Sequence, residues 1–184
     1  AIIGAGNGGQ AFAAYFSMMG VDVALYDTFQ STVDALNEKG GVELSGHSKH
    51  IGFGKIAFAS TDIEKVMDGA EVIWVVLPSL YHKGIAQKMA PYLKDGQTVI
   101  LNPIAPLGPM EFRKALDDSG CRADITLAAS CTLLFACRLK CNGEVMINGQ
   151  KNEVKIAAYP SSKNAAVEAL VKDYVPEFKF VKDI

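Results

Sequence analysis

Ile2-Ile3-Gly4-Ala5-Gly6-Asn7-Gly8-Gly9-Gln10-Ala11-Phe12-Ala13-Ala14-Tyr15 decides how this chain reads. Apolar residues end a strand, a glycine run turns the chain, and a helix rich in small residues begins. Glycines 4, 6 and 9 form G-x-G-x-x-G. Gly4 permits the tight turn out of the strand. Gly6 lets the backbone approach a pyrophosphate with no Cβ in the way, and Gly9 lets the helix pack close to the sheet. Asn7, Gly8 and the N–H groups around them sit at the helix start, where free donors and the positive end of the helix dipole favour phosphate oxygens. The motif is short, and its place between a strand and a helix is what makes it a dinucleotide-binding turn.

The next strand, Val21–Tyr26, ends at Asp27, 18 positions after Gly9. A carboxylate near that spacing accepts hydrogen bonds from the adenosine ribose hydroxyls and repels a 2′-phosphate. Thr28, Phe29 and Gln30 follow with no arginine. The expected cofactor is therefore NAD, with NADP the less favoured form. Further on, Val75-Val76-Leu77-Pro78-Ser79 closes another apolar strand. Ligands of open α/β sheets lie outside such carboxyl edges, which makes Leu77, Pro78 and Ser79 candidate cofactor contacts. Pro78 blocks extension of the strand, and Ser79 is placed to cap a helix. Asn102 and Pro103 stand in the same position after the strand Gln97–Leu101. These two turns read equally well as ordinary strand ends.

Strand-like and helix-like segments alternate along the chain, which implies a parallel sheet with helices on both faces. Helices are expected at Gly8–Met19, Ser31–Lys39, Tyr81–Tyr92, Pro109–Leu116 and from about Ser162 to Tyr174. Thr61-Asp62-Ile63-Glu64 has the capping-box pattern of a short helix. Gly41–Gly54 reads as a loop with short strands, and Lys55–Ala59 as a third strand. Glu71–Leu77 is apolar throughout, as in a strand covered on both faces. After about residue 120 the pattern turns strand-like. The expected fold is thus a doubly wound, mostly parallel Rossmann-type α/β sheet with extra strands in the C-terminal third, one domain over residues 1–184.

Composition bounds the function. The 184 residues carry 18 basic and 20 acidic side chains, a net charge of −2. No cationic surplus exists to neutralise a nucleic-acid backbone, so none is expected as partner. The longest apolar runs are too short to span a bilayer. Cys121, Cys131, Cys137 and Cys141 do not have zinc-site spacing; they read as buried free thiols in a reduced, cytoplasmic protein, and no metal site is expected. His47 and His50 read as solvated loop residues. His82, just past the Leu77-Pro78-Ser79 edge, is the one histidine near an expected ligand and the weak candidate for a catalytic residue. Arg138 either pairs with a carboxylate or caps a strand.

Taken together, the opening stretch, Tyr26-Asp27, Val76-Leu77-Pro78-Ser79 with His82, Ile100-Leu101-Asn102-Pro103, Glu111-Phe112-Arg113-Lys114 and Leu134-Phe135-Ala136-Cys137-Arg138 resemble the opine (octopine/nopaline-type) dehydrogenase family. The resemblance runs over essentially the whole chain. It implies an NAD(P)-dependent oxidoreductase that reduces the imine formed between an amino acid and a 2-oxo acid. It also implies a C-terminal helical domain beyond residue 184, carrying a catalytic histidine and aspartate and offering a homodimer contact. On that reading this chain is the cofactor-binding part of a longer protein and its catalytic residues are not in it. One difference bears on the substrate. Many members carry a Glu shortly before the segment matching Leu134–Arg138, where this chain has Ala128-Ala129-Ser130-Cys131-Thr132. Glycerol-3-phosphate dehydrogenases and ketopantoate reductases are the alternatives within the class, each usually with a lysine after a strand that this chain lacks. A non-catalytic NAD-sensing module is the alternative outside it.

Overall fold

The computed structural model describes residues 1–182. β1 (Ile2–Ile3), β2 (Ala24–Tyr26), β5 (Phe58–Ser60), β6 (Val72–Val75), β7 (Thr98–Leu101), β8 (Thr126–Ser130), β11 (Val154–Tyr159) and β12 (Phe178–Phe180) form one sheet. Its order is β12-β11-β8-β7-β6-β1-β2-β5. Every neighbouring pair is parallel except β8 with β11. A helical segment follows most of these strands and packs back on the sheet, which builds the expected Rossmann-type α/β fold.

The two faces carry different layers. On one face Ile3, Tyr26, Ile73, Val75, Val99 and Leu101 meet α3 (Ile63–Met67), α4 (His82–Met89) and α5 (Gly108–Asp118) through Met67, Ile85, Met89, Phe112 and Leu116. On the other face lie α1 (Asn7–Met18), α2 (Gln30–Lys39) and α6 (Asn164–Val171). α1 is buried all round from Gly8 to Phe16, as a helix is when covered on two sides. Its second cover is another sheet, ordered β4-β3-β10-β9, from β3 (Gly41–Gly46), β4 (Gly52–Lys55), β9 (Phe135–Cys141) and β10 (Glu144–Gln150). Phe12 joins the layers, with ring centroids 5.2 Å from Trp74 of β6 and 5.0 Å from Phe135 of β9.

This second sheet changes three of the sequence expectations. The short strands allowed for within Gly41–Gly54 form a β-hairpin, with β3 and β4 antiparallel, and only the stretch between them is a loop. The expected strand Lys55–Ala59 is divided: Lys55 ends β4, and Phe58–Ser60 joins the main sheet. Of the late strands, β9 and β10 lie outside the main sheet: they pair with each other antiparallel, and β10 pairs with β3 in parallel. The glycines misled because their reason is tertiary. A Cβ on Gly54 would lie 2.4 Å from Ala14 Cα, and one on Gly41 would lie 2.3 Å from the Gly54 carbonyl oxygen. Gly54 lets the sheet press on α1, and Gly41 lets β3 and β4 lie close to each other. The capping pattern is also shifted by one residue. Asp62, not Thr61, caps α3, its carboxylate accepting the Glu64 and Lys65 N–H groups.

Candidate functional site

β1 is the switch point of the main sheet. From it the order runs through β2 to β5 on one side and through β6, β7 and β8 on the other. A crevice therefore opens at the carboxyl end of β1, and the turns after β2 and β6 form its two banks. Gly4, Asp27, Leu77 and Asn102 all leave their strands at this edge.

The glycines divide into those the chain itself requires and one it does not. Gly4 has φ +103, and a Cβ there would lie 2.5 Å from Leu77 Cδ2. A Cβ on Gly9 would stand 1.7 Å from the Gly4 carbonyl oxygen. Gly8 packs between Val76 and Leu133, with a Cβ reaching 2.9 Å from Val76 Cγ1. Gly6 differs. It is exposed, its φ of −78 suits any residue, and a Cβ there meets nothing within 4 Å. Gly6 also forms the N-cap of α1 without a side-chain bond to the helix. The N–H groups of Asn7, Gly8 and Gly9, lacking intrahelical acceptors as in any first turn, sit just behind this open backbone. These free donors and the open space beside Gly6 suit the oxygens and bulk of a pyrophosphate, for which a Cβ at position 6 would compete.

Side chains around the loop hold it in place. Asp27 is half-buried; its Oδ2 accepts the Ala5 N–H at 2.9 Å and its Oδ1 the Phe29 N–H at 3.0 Å. Each carboxylate oxygen has a second lone pair, so Asp27 fixes the loop while still offering acceptors to a ribose diol. Asn7 Oδ1 accepts the Leu139 N–H of β9 at 2.8 Å. Gln10, which the sequence reading did not single out, is fully buried. Its Nε2 donates to the Ala5 carbonyl at 2.7 Å and to Asn142 Oδ1 at 3.2 Å, and its Oε1 accepts the Gly143 N–H at 2.8 Å. The turn between β9 and β10 is thereby fastened to the glycine loop. The signal that could have found it is Asn142-Gly143, a strong hairpin dipeptide, facing the polar Gln10 in an apolar helix.

The β6 and β7 ends are arranged differently from each other. Leu77 is half-buried, and Pro78 and Ser79 are exposed. Ser79 opens a 3-10 turn over Ser79–Tyr81 and makes no side-chain cap. His82 is buried, 2% exposed, with Nε2 2.9 Å from the Leu77 carbonyl oxygen and its ring edge-on to Phe112 at 6.3 Å. Burial pulls its pKa below the ordinary histidine value, against smaller upward pulls from the Leu77 hydrogen bond and the Glu111 charge. A neutral imidazole donating from Nε2 orients the β6 turn, and its Nδ1 has no partner among the described residues. Asn102 is fully buried and points into the seam with β8: its Nδ2 donates to Ser130 Oγ at 2.6 Å, and its Oδ1 has no partner among the described residues. Pro103, half-buried, lies at the edge itself. Thus the structure brings Gly4–Gly9 and Asp27 into one hydrogen-bonded unit, and sets Leu77–Ser79 and Asn102–Pro103 along its rim. Cys121 and Cys137 are buried, burial raising the Cys137 thiol to about 11, whereas Cys131 and Cys141 are exposed free thiols, contrary to expectation. Arg138 is exposed on β9. His47 is exposed, and His50 stands edge-on to Tyr15 at 5.0 Å.

A doubly wound sheet with a glycine cradle, an acid at the end of β2 and a crevice between them defines an NAD-binding domain of the dehydrogenase class. The chain belongs to the family described as NAD-dependent glycerol-3-phosphate dehydrogenase N-terminus, whose sequence model matches residues 1–103. Beyond that stretch the similarity is to opine dehydrogenases. Opine dehydrogenase of Arthrobacter sp. (strain 1C) is 31% identical over 184 residues, covering 100% of this chain and 51% of that protein. Octopine dehydrogenase of Pecten maximus is 26% identical over 153 residues, 76% of this chain and 36% of that one. Among solved structures, octopine dehydrogenase in complex with NADH and agmatine superposes with a TM-score of 0.83 at 22% identity, covering 99% of this chain and 48% of that one. The chain spans about half the length of the first of these relatives and of the solved structure. Among the described residues no helix is long and apolar enough to cross a membrane.

Proposed function

We propose that this chain is the cofactor-binding half of an opine dehydrogenase, and that the whole protein reduces the imine formed between an amino acid and a 2-oxo acid. The observation that supports this reading over a glycerol-3-phosphate dehydrogenase is the reach of the similarity. The family match ends at residue 103, while the opine dehydrogenase match continues through β8–β12 to residue 184. When bound, NADH supplies the hydride. The residues of this chain would position it: the α1 N-terminus and Gly6 would take the pyrophosphate, Asp27 the adenosine ribose, and Leu77, Pro78, Ser79 and Pro103 would border the nicotinamide half, with buried Asn102 bracing the turn from beneath through Ser130. Binding alone does nothing specific for a transition state. Reduction of an imine also needs a proton donor and a gripped substrate, and His82, buried, neutral and engaged with Leu77, is suited to neither. A C-terminal helical domain carries those groups on this reading, closes the crevice against water and offers the homodimer contact. The four free cysteines fit work in a reducing cytoplasm.

The test compares this 184-residue piece with the whole protein in NADH oxidation with pyruvate and a panel of amino acids. Turnover that needs the whole protein and both substrates is the expected result. Turnover by the piece alone would make His82 the first residue to mutate, and turnover with dihydroxyacetone phosphate in place of both substrates would support the glycerol-3-phosphate reading. NADH binding by the whole protein with no turnover would favour a sensing module.

A further inference from the structure

The turn after β8 forms a further stretch of the crevice rim. Ser130 leaves β8 beside Asn102; its Oγ accepts the Asn102 Nδ2 at 2.6 Å and donates to the Thr132 carbonyl at 3.1 Å. Leu133 then reaches the glycine loop, where its Cδ2 would stand 3.3 Å from a Cβ on Gly8. Ser130–Leu133 therefore spans the edge from the end of β7 to the first turn of α1. β11 is antiparallel to β8 and starts at this same edge, so the turn from β10 into β11 brings Lys151 alongside. The Lys151 N–H donates to the Leu134 carbonyl at 3.0 Å, and its Nζ donates to Thr132 Oγ1 at 2.8 Å. Neither burial nor an ion pair accounts for this side chain. Lys151 is exposed and forms no ion pair among the described residues. An ammonium has three donors. One goes to a neutral hydroxyl, which fixes the charge at the rim, and the others stay free. Leu77–Ser79 and Asn102–Pro103 carry no cation, so Lys151 supplies a positive charge that those two turns lack.

We propose that Lys151 anchors a carboxylate of the substrate, with Thr132 holding its ammonium in place. This rests on the opine dehydrogenase reading and deepens it, giving this half of the protein one of the groups that grip the substrate. The chemistry of that reaction supplies the anion. An amino acid and a 2-oxo acid each bring a carboxylate next to the carbon that joins the nitrogen, and both carboxylates persist in the imine. A hydrogen bond from an ammonium to a carboxylate is roughly twice as strong as one between neutral groups. An exposed side chain, whose backbone bond to Leu134 survives substitution, also leaves Lys151 free to change without disturbing the core.

The experiment is steady-state kinetics of the whole protein and its Lys151→Met, Lys151→Gln and Lys151→Arg variants, with pyruvate and the amino acid that gives the fastest turnover. NADH affinity is titrated alongside. Lys151→Met is expected to raise KM for one of the two substrates at least about tenfold, the loss of one hydrogen bond to a charged group, with NADH affinity unchanged. Lys151→Gln, which can still bond Thr132 but carries no charge, should lose as much, and Lys151→Arg should keep most of the wild-type KM. Both KM values unchanged in Lys151→Met overturns the proposal. So does a Lys151→Gln variant with wild-type KM, which would mark the Thr132 bond and not the charge as the contribution, and so does an equal loss in KM and NADH affinity, which would mark Lys151 as a support of the turn. These results leave the opine dehydrogenase reading standing. A wild-type protein that turns over no amino acid with pyruvate overturns that reading and this inference with it.

Discussion

Gly6 and Gly9 are both glycines of one motif, yet their substitutions should fail in opposite ways. A valine at position 6 meets no protein atom and adopts an allowed backbone, so Gly6→Val should fold with near-normal stability and bind NADH at least about a hundredfold more weakly, because its branches fill the phosphate space. Gly9→Ala puts a Cβ onto the Gly4 carbonyl and should cost about 3 kcal/mol of stability, at the upper end of overpacking. Paired denaturation and calorimetric titration separate the two; a folded Gly6→Val protein with wild-type affinity would remove the phosphate cradle. His82 makes a prediction about pH. Its folded-state pKa is lowered, so the unfolded chain binds more protons as pH falls through about 6.5, and stability contributed by the neutral ring is lost from there down to the folded-state value. Urea midpoints should fall between pH 7.5 and 5.5 by more in the wild type than in His82→Gln, which keeps a donor for Leu77 but cannot titrate. Equal falls would contradict this role.

At the scale of elements, α1 is the piece on which the rest depends. It is pressed between the main sheet and the β4-β3-β10-β9 sheet, and Phe12 touches both through Trp74 and Phe135. Phe12→Ala should therefore cost about 3–5 kcal/mol, and the drop should appear in chemical unfolding as one cooperative transition. Two transitions would mean that the second sheet is an independent unit. The same helix shows what could be read from the sequence alone. Glycine spacing, Asp27 and the alternation of strands with helices carry local chemical reasons, and they placed the glycine loop and the main sheet. Gly41, Gly54 and Gln10 have reasons only in contacts between elements: Gly41 against the paired strand β4, Gly54 against Ala14 of α1, and Gln10 reaching across 132 positions to Asn142. Read locally, two glycines look like a loop and a buried glutamine looks like surface. The inward turn of Asn102 toward Ser130 was equally invisible, because it depends on which strand lies beside β7.

For the molecule as a whole, the crevice at β1 is built for NAD and against NADP. Gly6 has no reason within the chain to be glycine, Asp27 anchors the loop with lone pairs to spare, and no arginine follows it to receive a 2′-phosphate. The most direct measurement is a calorimetric titration of wild-type protein and Asp27→Ala with NADH and NADPH at one salt concentration. Wild type should bind NADH at least about tenfold more tightly than NADPH, a difference of about 1.4 kcal/mol. Asp27→Ala should lose the preference, with NADH weakened because the Ala5 N–H and the ribose lose the same carboxylate. Equal affinities in the wild type, or a preference that survives in Asp27→Ala, would contradict it.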